Sequence, residues 1–352
     1  MSERGQHTLN EILSQVAAWE QALQVVQSHK DEITQLWKAQ PETPVLFTGC
    51  GSTYYLSLAA ASLFQGLTGR AARALPASEL ILYPHTVYEA NTRAVFVAIS
   101  RSGTTTETVA AMQQFKAANR GLVITITNYA DTPLTAAADL SIIIPAGQEQ
   151  SVAQTRSFAS MYVAATVFSA LSAGQEGWLA QMEALPALGE ALIQKYEPLA
   201  RSLGENLALD RFYFLGSGPR YGLACEVNLK MKEMTLTHSE PFHFFEFRHG
   251  PMSMICESAA VIGLRSSVNA RHEQSVLDEM QAMRAQVLSL GEADADVCFE
   301  SGLPEEIRNV LYLPVLQLMA YYRSIAKGLD PDNPRNLSAV VHLDAETLLQ
   351  DV

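Results

Sequence analysis

Short apolar runs alternate with stretches of helical periodicity along most of this chain, and the alternation begins twice. After Pro41 and Pro44 come VLFTG, a helical stretch over 53–65, AVFVAIS, a helical stretch over 105–118, then LVITIT and LSIII. Runs that are apolar throughout, separated by helices, predict strands buried on both faces of a parallel sheet. Near residue 211 the pattern restarts with FYFLGSG and a helical 221–237, then SAAVIGL and a helical 271–285, and ends in an apolar helix over about 307–326. Helices between 174 and 209 are expected to join the halves. Ahead of the first half, Leu9, Ile12, Leu13, Val16, Leu23, Val26, Ile33 and Leu36 recur at helical intervals and predict one or two leading helices. The expected fold class is therefore α/β, with two tandem three-layer α/β/α domains behind N-terminal helices.

The two starts also match in detail. Phe47, Gly49, Gly51 and Tyr54 align with Phe214, Gly216, Gly218 and Tyr221 at one constant offset, each set at a strand-to-helix join. Duplication explains this, and so does the general liking of such turns for glycine. At 352 residues the chain has room for two domains. We place the leading helices at 1–40, the first domain with its linking helices at 41–200, and the second domain with the C-terminal tail at 201–352.

A hydrophobic fraction of 48% with 17% charged residues predicts a chain that folds throughout. The 37 acidic residues outnumber the 24 basic ones, which speaks against nucleic acid or an anionic membrane as partner. Cys50, Cys225, Cys256 and Cys298 form no CxxC pair and read as free thiols of a reducing compartment. The first twenty residues lack the apolar core of a signal peptide, and 158–173 is short for a membrane span, so a cytoplasmic location is expected.

The most informative stretch for chemistry is AVFVAIS-RSGTTTET. A strand runs into Ser100, Arg101, Ser102, Gly103, Thr104, Thr105 and Thr106 just where a helix begins. Free backbone N–H groups and the helix dipole favour an anion there, hydroxyls add donors, and one capping residue would not need so many of them. No Gly-Lys-Ser/Thr follows, so no nucleoside triphosphate is implied. In TGCGSTYY, Tyr54 stands where a dinucleotide fingerprint needs its third glycine, so Ser52 and Thr53 read as further hydroxyls at the ligand-binding edge of the sheet.

Together with strand-GCGST, LKMKEMTLTHSE, EFRHGP and KGLDPDNPRNL in this order, that loop resembles the sugar isomerase (SIS) superfamily over about 43–343. Within it, the chain is similar to the isomerase half of glutamine-fructose-6-phosphate aminotransferase and to stand-alone deaminases, deglycases and ketose-aldose isomerases. The resemblance implies a 6-phosphorylated sugar as ligand, no cofactor and no metal. It places phosphate on Ser100, Arg101, Ser102 and Thr105, and sugar contacts on Cys50, Ser52 and Thr53. A further contact segment falls on Val152, Ala153, Gln154 and Thr155, with Gln154 where the aminotransferase has serine. Glu233 matches the catalytic base, Lys230 its assisting lysine, Glu226 another helix carboxylate and His249 the ring-opening histidine. The resemblance also implies a homodimer that delivers His249 across the subunit interface, and the aromatic PFHFFEF before it suits a buried contact.

Two departures shape the expected activity. The chain begins Met-Ser without the cysteine-opened domain that supplies ammonia in the aminotransferase, so glutamine-dependent synthesis is not expected. The position of that enzyme's imine-forming lysine falls on Ala339, which speaks against a Schiff-base route.

Moving a carbonyl between C1 and C2 needs a base for a carbon-bound proton and an acid for the heteroatom, which Glu233 and His249 supply. By spacing alone, Glu226, Lys230 and Glu233 share one helix face and read more simply as a solvated salt-bridge stripe. His238, His243 and His249 with Glu240 and Glu246 fit no metal-binding helix, because Pro241 interrupts the register. The expected function is isomerisation with deamination or deglycation of a 6-phosphorylated amino sugar. A plain ketose-aldose isomerase is the alternative, and a non-catalytic sugar-phosphate sensor a further one.

Overall fold

A computed structural model describes residues 4–40, 42–88, 93–341 and 343. It divides into two compact units, one of residues 17–148, 156–183 and 338–352, the other of 1–16, 149–155 and 184–337. Each holds one five-stranded, all-parallel sheet flanked by helices, so the molecule is an α/β protein with tandem sheets and leading helices.

The leading segment folds as α1 (Gln6–Leu13), α2 (Gln15–Ser28) and α3 (Lys30–Ala39). The first sheet and its helices follow: β1 (Val45–Gly49), α4 (Ser52–Thr68), β2 (Ala72–Pro76), α5 (Ala77–Leu82), α6 (Pro84–Val87), β3 (Val95–Ser100), α7 (Thr106–Ala117), β4 (Val123–Thr127), α8 (Pro133–Ala137) and β5 (Leu140–Ile143). Every residue of β1, β3 and β4 is buried, as continuous apolar runs inside a parallel sheet require. Next come α9 (Arg156–Ser172), in which residues 157–171 are all buried, α10 (Trp178–Met182) and α11 (Leu185–Glu205).

The second sheet is built from β6 (Arg211–Leu215), α12 (Pro219–Thr235), β7 (His238–Phe242), α13 (Phe244–Phe247), β8 (Ala259–Leu264), α14 (Ala270–Ala282), β9 (Gln286–Gly291) and β10 (Val297–Cys298). It is closed by α15 (Glu305–Arg308) and α16 (Leu313–Ala326). Here α12 packs on β6 and β7 with one side and on α16 with the other. Ser324 Oγ donates to the Met234 carbonyl at 2.7 Å, and Arg323 Nε to Thr237 Oγ1 at 2.7 Å, fastening α16 to the end of α12.

The strand orders are β2-β1-β3-β4-β5 and, read from the other edge, β7-β6-β8-β9-β10, the same doubly wound pattern twice. The matched glycines do the same work in each copy. Gly51 and Gly218 have φ of 57° and 59° at the starts of α4 and α12, a backbone that side chains disfavour. A Cβ on Gly49 would lie 2.7 Å from the Thr53 backbone, and one on Gly216 2.4 Å from that of Arg220. Both helices start hard against their strands, which only glycine allows. Shared order and shared turn geometry go beyond a general preference of turns for glycine and support duplication.

Candidate functional site

In such sheets ligands bind beyond the carboxyl ends of the strands, where the strand order reverses. In the first unit that point lies between β1 and β3, paired in parallel with Thr48 beside Ala98. The turn after β1 is tied by Thr53 Oγ1, which accepts from Cys50 N and donates to the Cys50 carbonyl, both at 3.0 Å. Ser52 and Thr53 are buried. Burial raises the Cys50 thiol to about 11, so it is neutral near pH 7.

After β3, Ser100 Oγ accepts from Gly103 N at 3.1 Å and lies 3.3 Å from Thr105 Oγ1. Ser102 Oγ accepts from Thr104 N at 3.2 Å and from Thr104 Oγ1 at 3.0 Å. The hydroxyls thus shape the loop, and Thr105, at the start of α7, makes no side-chain cap. The first-turn amides of α7 have no acceptor within the helix and carry its positive end. Arg101 is buried; its carbonyl accepts from Asn128 N at 3.1 Å, and its Nη2 donates to the Ala339 carbonyl at 2.7 Å. Ala339, the tail residue expected at the imine-lysine position, is thereby held at this loop.

In the second unit, α12 carries Glu226, Lys230 and Glu233. Lys230 Nζ lies 2.5 Å from Glu233 Oε2 and 3.4 Å from Glu226 Oε1. The side chains of Glu226 and Lys230 are 1% exposed and that of Glu233 19%. The simple reading as a solvated stripe is corrected: α12 lies between sheet and α16, so this face is interior. Burial alone would lower the Lys230 pKa, but Glu226 and Glu233 more than offset it, and the pKa is raised above 10.5. Lys230 is therefore a fixed cation that holds the Glu233 carboxylate in place.

Glu233 also lines a cleft of about 150 Å³ walled by Leu236 and by Gly328, Asp330, Asn333 and Arg335 of the KGLDPDNPRNL segment. A larger cavity of about 370 Å³ lies by Val45, Ala72 and Ala94, at the amino ends of β1, β2 and β3. The cleft at Glu233, by the end of α12 and the start of β7, likewise lies toward the amino ends of its strands, and it is the better candidate because a carboxylate held by an ion pair lines it.

The segment 149–155, with Val152 and Gln154, belongs to this second unit. Glu149 Oε1 accepts from Thr155 N at 2.7 Å, and Glu11 Oε1 from Gln150 N at 2.6 Å. Val152 N donates to the Asp332 carbonyl at 3.0 Å, and the Asp332 carboxylate accepts from Thr8 N at 2.7 Å. Glu149 also acts electrostatically on Lys230. Sequence reasoning missed Glu11, Glu149 and Asp332; their role depends on partners distant in the chain, and only the presence of Asp332 in a family motif hinted at it.

His249 is exposed on the turn after α13. Phe244 and Phe247 before it are buried in this chain's own core, leaving Phe245 as the half-exposed aromatic of PFHFFEF. His243 stacks on Tyr221 with ring centroids 3.9 Å apart. Among the described residues no group of three His, Cys, Asp or Glu side chains is placed to hold a metal ion. All four cysteines are free. No described helix is long and apolar enough to cross a membrane.

Comparison with known proteins agrees with this architecture. Residues 40–171 match the SIS domain model. The chain is 28% identical over 338 residues to glutamine--fructose-6-phosphate aminotransferase [isomerizing] of Methanothermobacter thermautotrophicus, covering 93% of this chain and 54% of that protein. It spans about half the length of the curated relatives it matches. The crystal structure of glucosamine-6-phosphate deaminase from Thermotoga maritima superposes with a TM-score of 0.75 at 25% identity, covering 92% of this chain and all of that one. Tagatose-6-phosphate ketose/aldose isomerase from Escherichia coli shares the fold with a TM-score of 0.83 at 20% identity, over 95% of this chain and 96% of that one. The chain thus carries an SIS domain over residues 40–171 and, with its tandem SIS-like sheets, resembles the isomerase half of the aminotransferase and the phosphosugar deaminase.

Proposed function

We propose that this protein is a phosphosugar isomerase that deaminates or deglycates a 6-phosphorylated amino sugar. The observation that carries the reading is Glu233, a carboxylate held by the buried cation Lys230 while lining an open cleft. A base that moves a proton between C1 and C2 must be oriented and open to substrate; the contact with Lys230 and the place on the cleft wall support both for Glu233. In this account the loop of Ser100, Ser102 and Thr105 takes the phosphate, with Arg101 holding the tail, while Cys50, Ser52, Thr53, Val152 and Gln154 contact the sugar. The work divides between a first domain at 41–200 and a second at 201–352.

Glu233 withdraws the C2 or C1 proton and returns it at the neighbouring carbon through an enediol or enaminol; from an amino sugar this leaves an imine, to which water adds, and the C–N bond breaks to release ammonia or the amine and leave a carbonyl. His249 of a second subunit passes a proton to the ring oxygen on opening. The substrate stays unattached, because the imine-lysine position is Ala339. Ala339 equally favours a second reading, a plain ketose-aldose isomerase, which needs the same acid and base but expels no amine. Incubation with a panel of 6-phosphorylated hexosamines, fructosamines and ketoses, following ammonia, amine and ketose release, separates the two. Release of nitrogen supports the first, interconversion without it the second, and neither with any substrate counts against both.

A further inference from the structure

The duplicated fold places a second strand-end crevice between β6 and β8, equivalent to the one between β1 and β3. Its loop matches in position: β3 and α7 start at Val95 and Thr106, β8 and α14 at Ala259 and Ala270, so Arg101-Ser102 corresponds to Arg265-Ser266. In the second copy the crevice already contains an oxyanion. The Glu305 carboxylate accepts from Ser266 Oγ at 3.0 Å, from Ser267 N at 2.5 Å, from Val268 N at 3.4 Å and from Arg220 Nη1 at 2.5 Å. Arg308 Nη2 lies 3.8 Å away. Two backbone amides before a helix, a hydroxyl and a guanidinium on one carboxylate make a phosphate-type cradle.

The cradle is more than a helix start. Arg220 and Arg308 have side chains 4% exposed, and Nε of Arg220 is buried without a hydrogen-bond partner. Arg220, Arg265 and Arg308 stand with Glu273, Glu292 and Glu305, so three cations face three carboxylates. Glu273 Oε2 is occupied by Ser266 N at 2.5 Å, and Glu292 Oε2 lies 3.3 Å from Arg308 Nε. Removing the Glu305 charge would leave one buried cation in excess. Ser267 and Val268 are exposed, so an anion from solvent can reach the place.

We propose that the crevice at the end of β8 is a second oxyanion site, of the class that takes inorganic phosphate or a phosphomonoester, kept closed by the chain's own Glu305. The duplication is thus asymmetric in use, with one cradle free for a ligand and its twin filled from within. The inference rests on the contacts of Glu305 and stands whatever the loop after β3 binds.

Inorganic phosphate is the probe, and the readout is binding stoichiometry by calorimetry or phosphorus NMR for the unchanged protein, Glu305→Ala and the isosteric Glu305→Gln. Glu305→Ala is expected to bind one more phosphate per chain than the unchanged protein, about tenfold or more tighter than chloride competes, the scale of one charge-assisted hydrogen bond. Glu305→Gln is expected to bind the extra phosphate more weakly, because its amide still fills the cradle. If Glu305→Ala unfolds in phosphate-free buffer, phosphate is expected to restore its helical circular dichroism at concentrations where chloride does not. An unchanged stoichiometry in a folded Glu305→Ala, or rescue no better than by chloride at equal ionic strength, overturns the proposal.

Discussion

Lys230 sits between two carboxylates with a side chain only 1% exposed, so its charge is a structural commitment as well as a chemical one. Lys230→Met would leave Glu226 and Glu233 facing each other without a cation. Removing one partner of a buried ion pair costs about 3–5 kcal/mol, so urea denaturation is expected to show a loss of that size. Adding Glu226→Gln should recover part of it. The raised pKa also has a pH signature. A pKa higher folded than unfolded gives stability that is full below about 10.5 and lost as pH rises through the folded value. The unchanged protein should therefore lose thermal stability more steeply than Lys230→Met as pH rises above about 10.5, and parallel curves would deny Lys230 that role. The spacing of Glu226, Lys230 and Glu233 was legible in the sequence, but their burial was not. Charges at i, i+4 and i+7 look alike on a solvated helix and on one enclosed by a sheet and α16.

At the level of elements, the loop after β3 holds itself together with the hydroxyls expected to hold a ligand. Ser100 and Ser102 satisfy the amides of Gly103 and Thr104, so removing them should disorder the cradle while leaving the buried strands beneath it intact. Ser100→Ala/Ser102→Ala is expected to weaken phosphosugar binding about tenfold or more, at about 1 kcal/mol for each lost bond. The melting temperature should fall by a few degrees at most; unchanged affinity in calorimetry would remove the loop from the site. The central strands β1, β3, β4, β6 and β8 were readable because burial on both faces demands unbroken apolar runs. HSEPF gave no such signal. As β7 it is an edge strand, where Pro241 needs no ladder donor and polar residues are tolerated. The Glu305 contacts were equally hidden, since they join residues almost forty positions apart.

For the molecule as a whole, duplication supplies two similar sheets while their chemistry has diverged. One copy presents a hydroxyl-rich loop, and the other supplies Glu233 and closes its own crevice with Glu305. Subunit sharing is testable by mixing Glu233→Gln with His249→Ala. Partial activity in exchanged heterodimers is expected, and none despite proven exchange would count against a shared site. Borohydride added during turnover should trap no sugar adduct, whereas a stable adduct on Lys230 would mean that attachment, not a free enediol or enaminol, carries the reaction. The central claim is that Glu233 moves a carbon-bound proton of a phosphosugar, and solvent deuterium tests it without presuming what leaves. In heavy water the unchanged protein should wash deuterium into C1 or C2 of a bound 6-phosphorylated amino sugar, as read by NMR. Glu233→Gln should bind the same sugar yet exchange about a hundredfold or more slowly, and exchange at a near-normal rate in that variant would contradict the account.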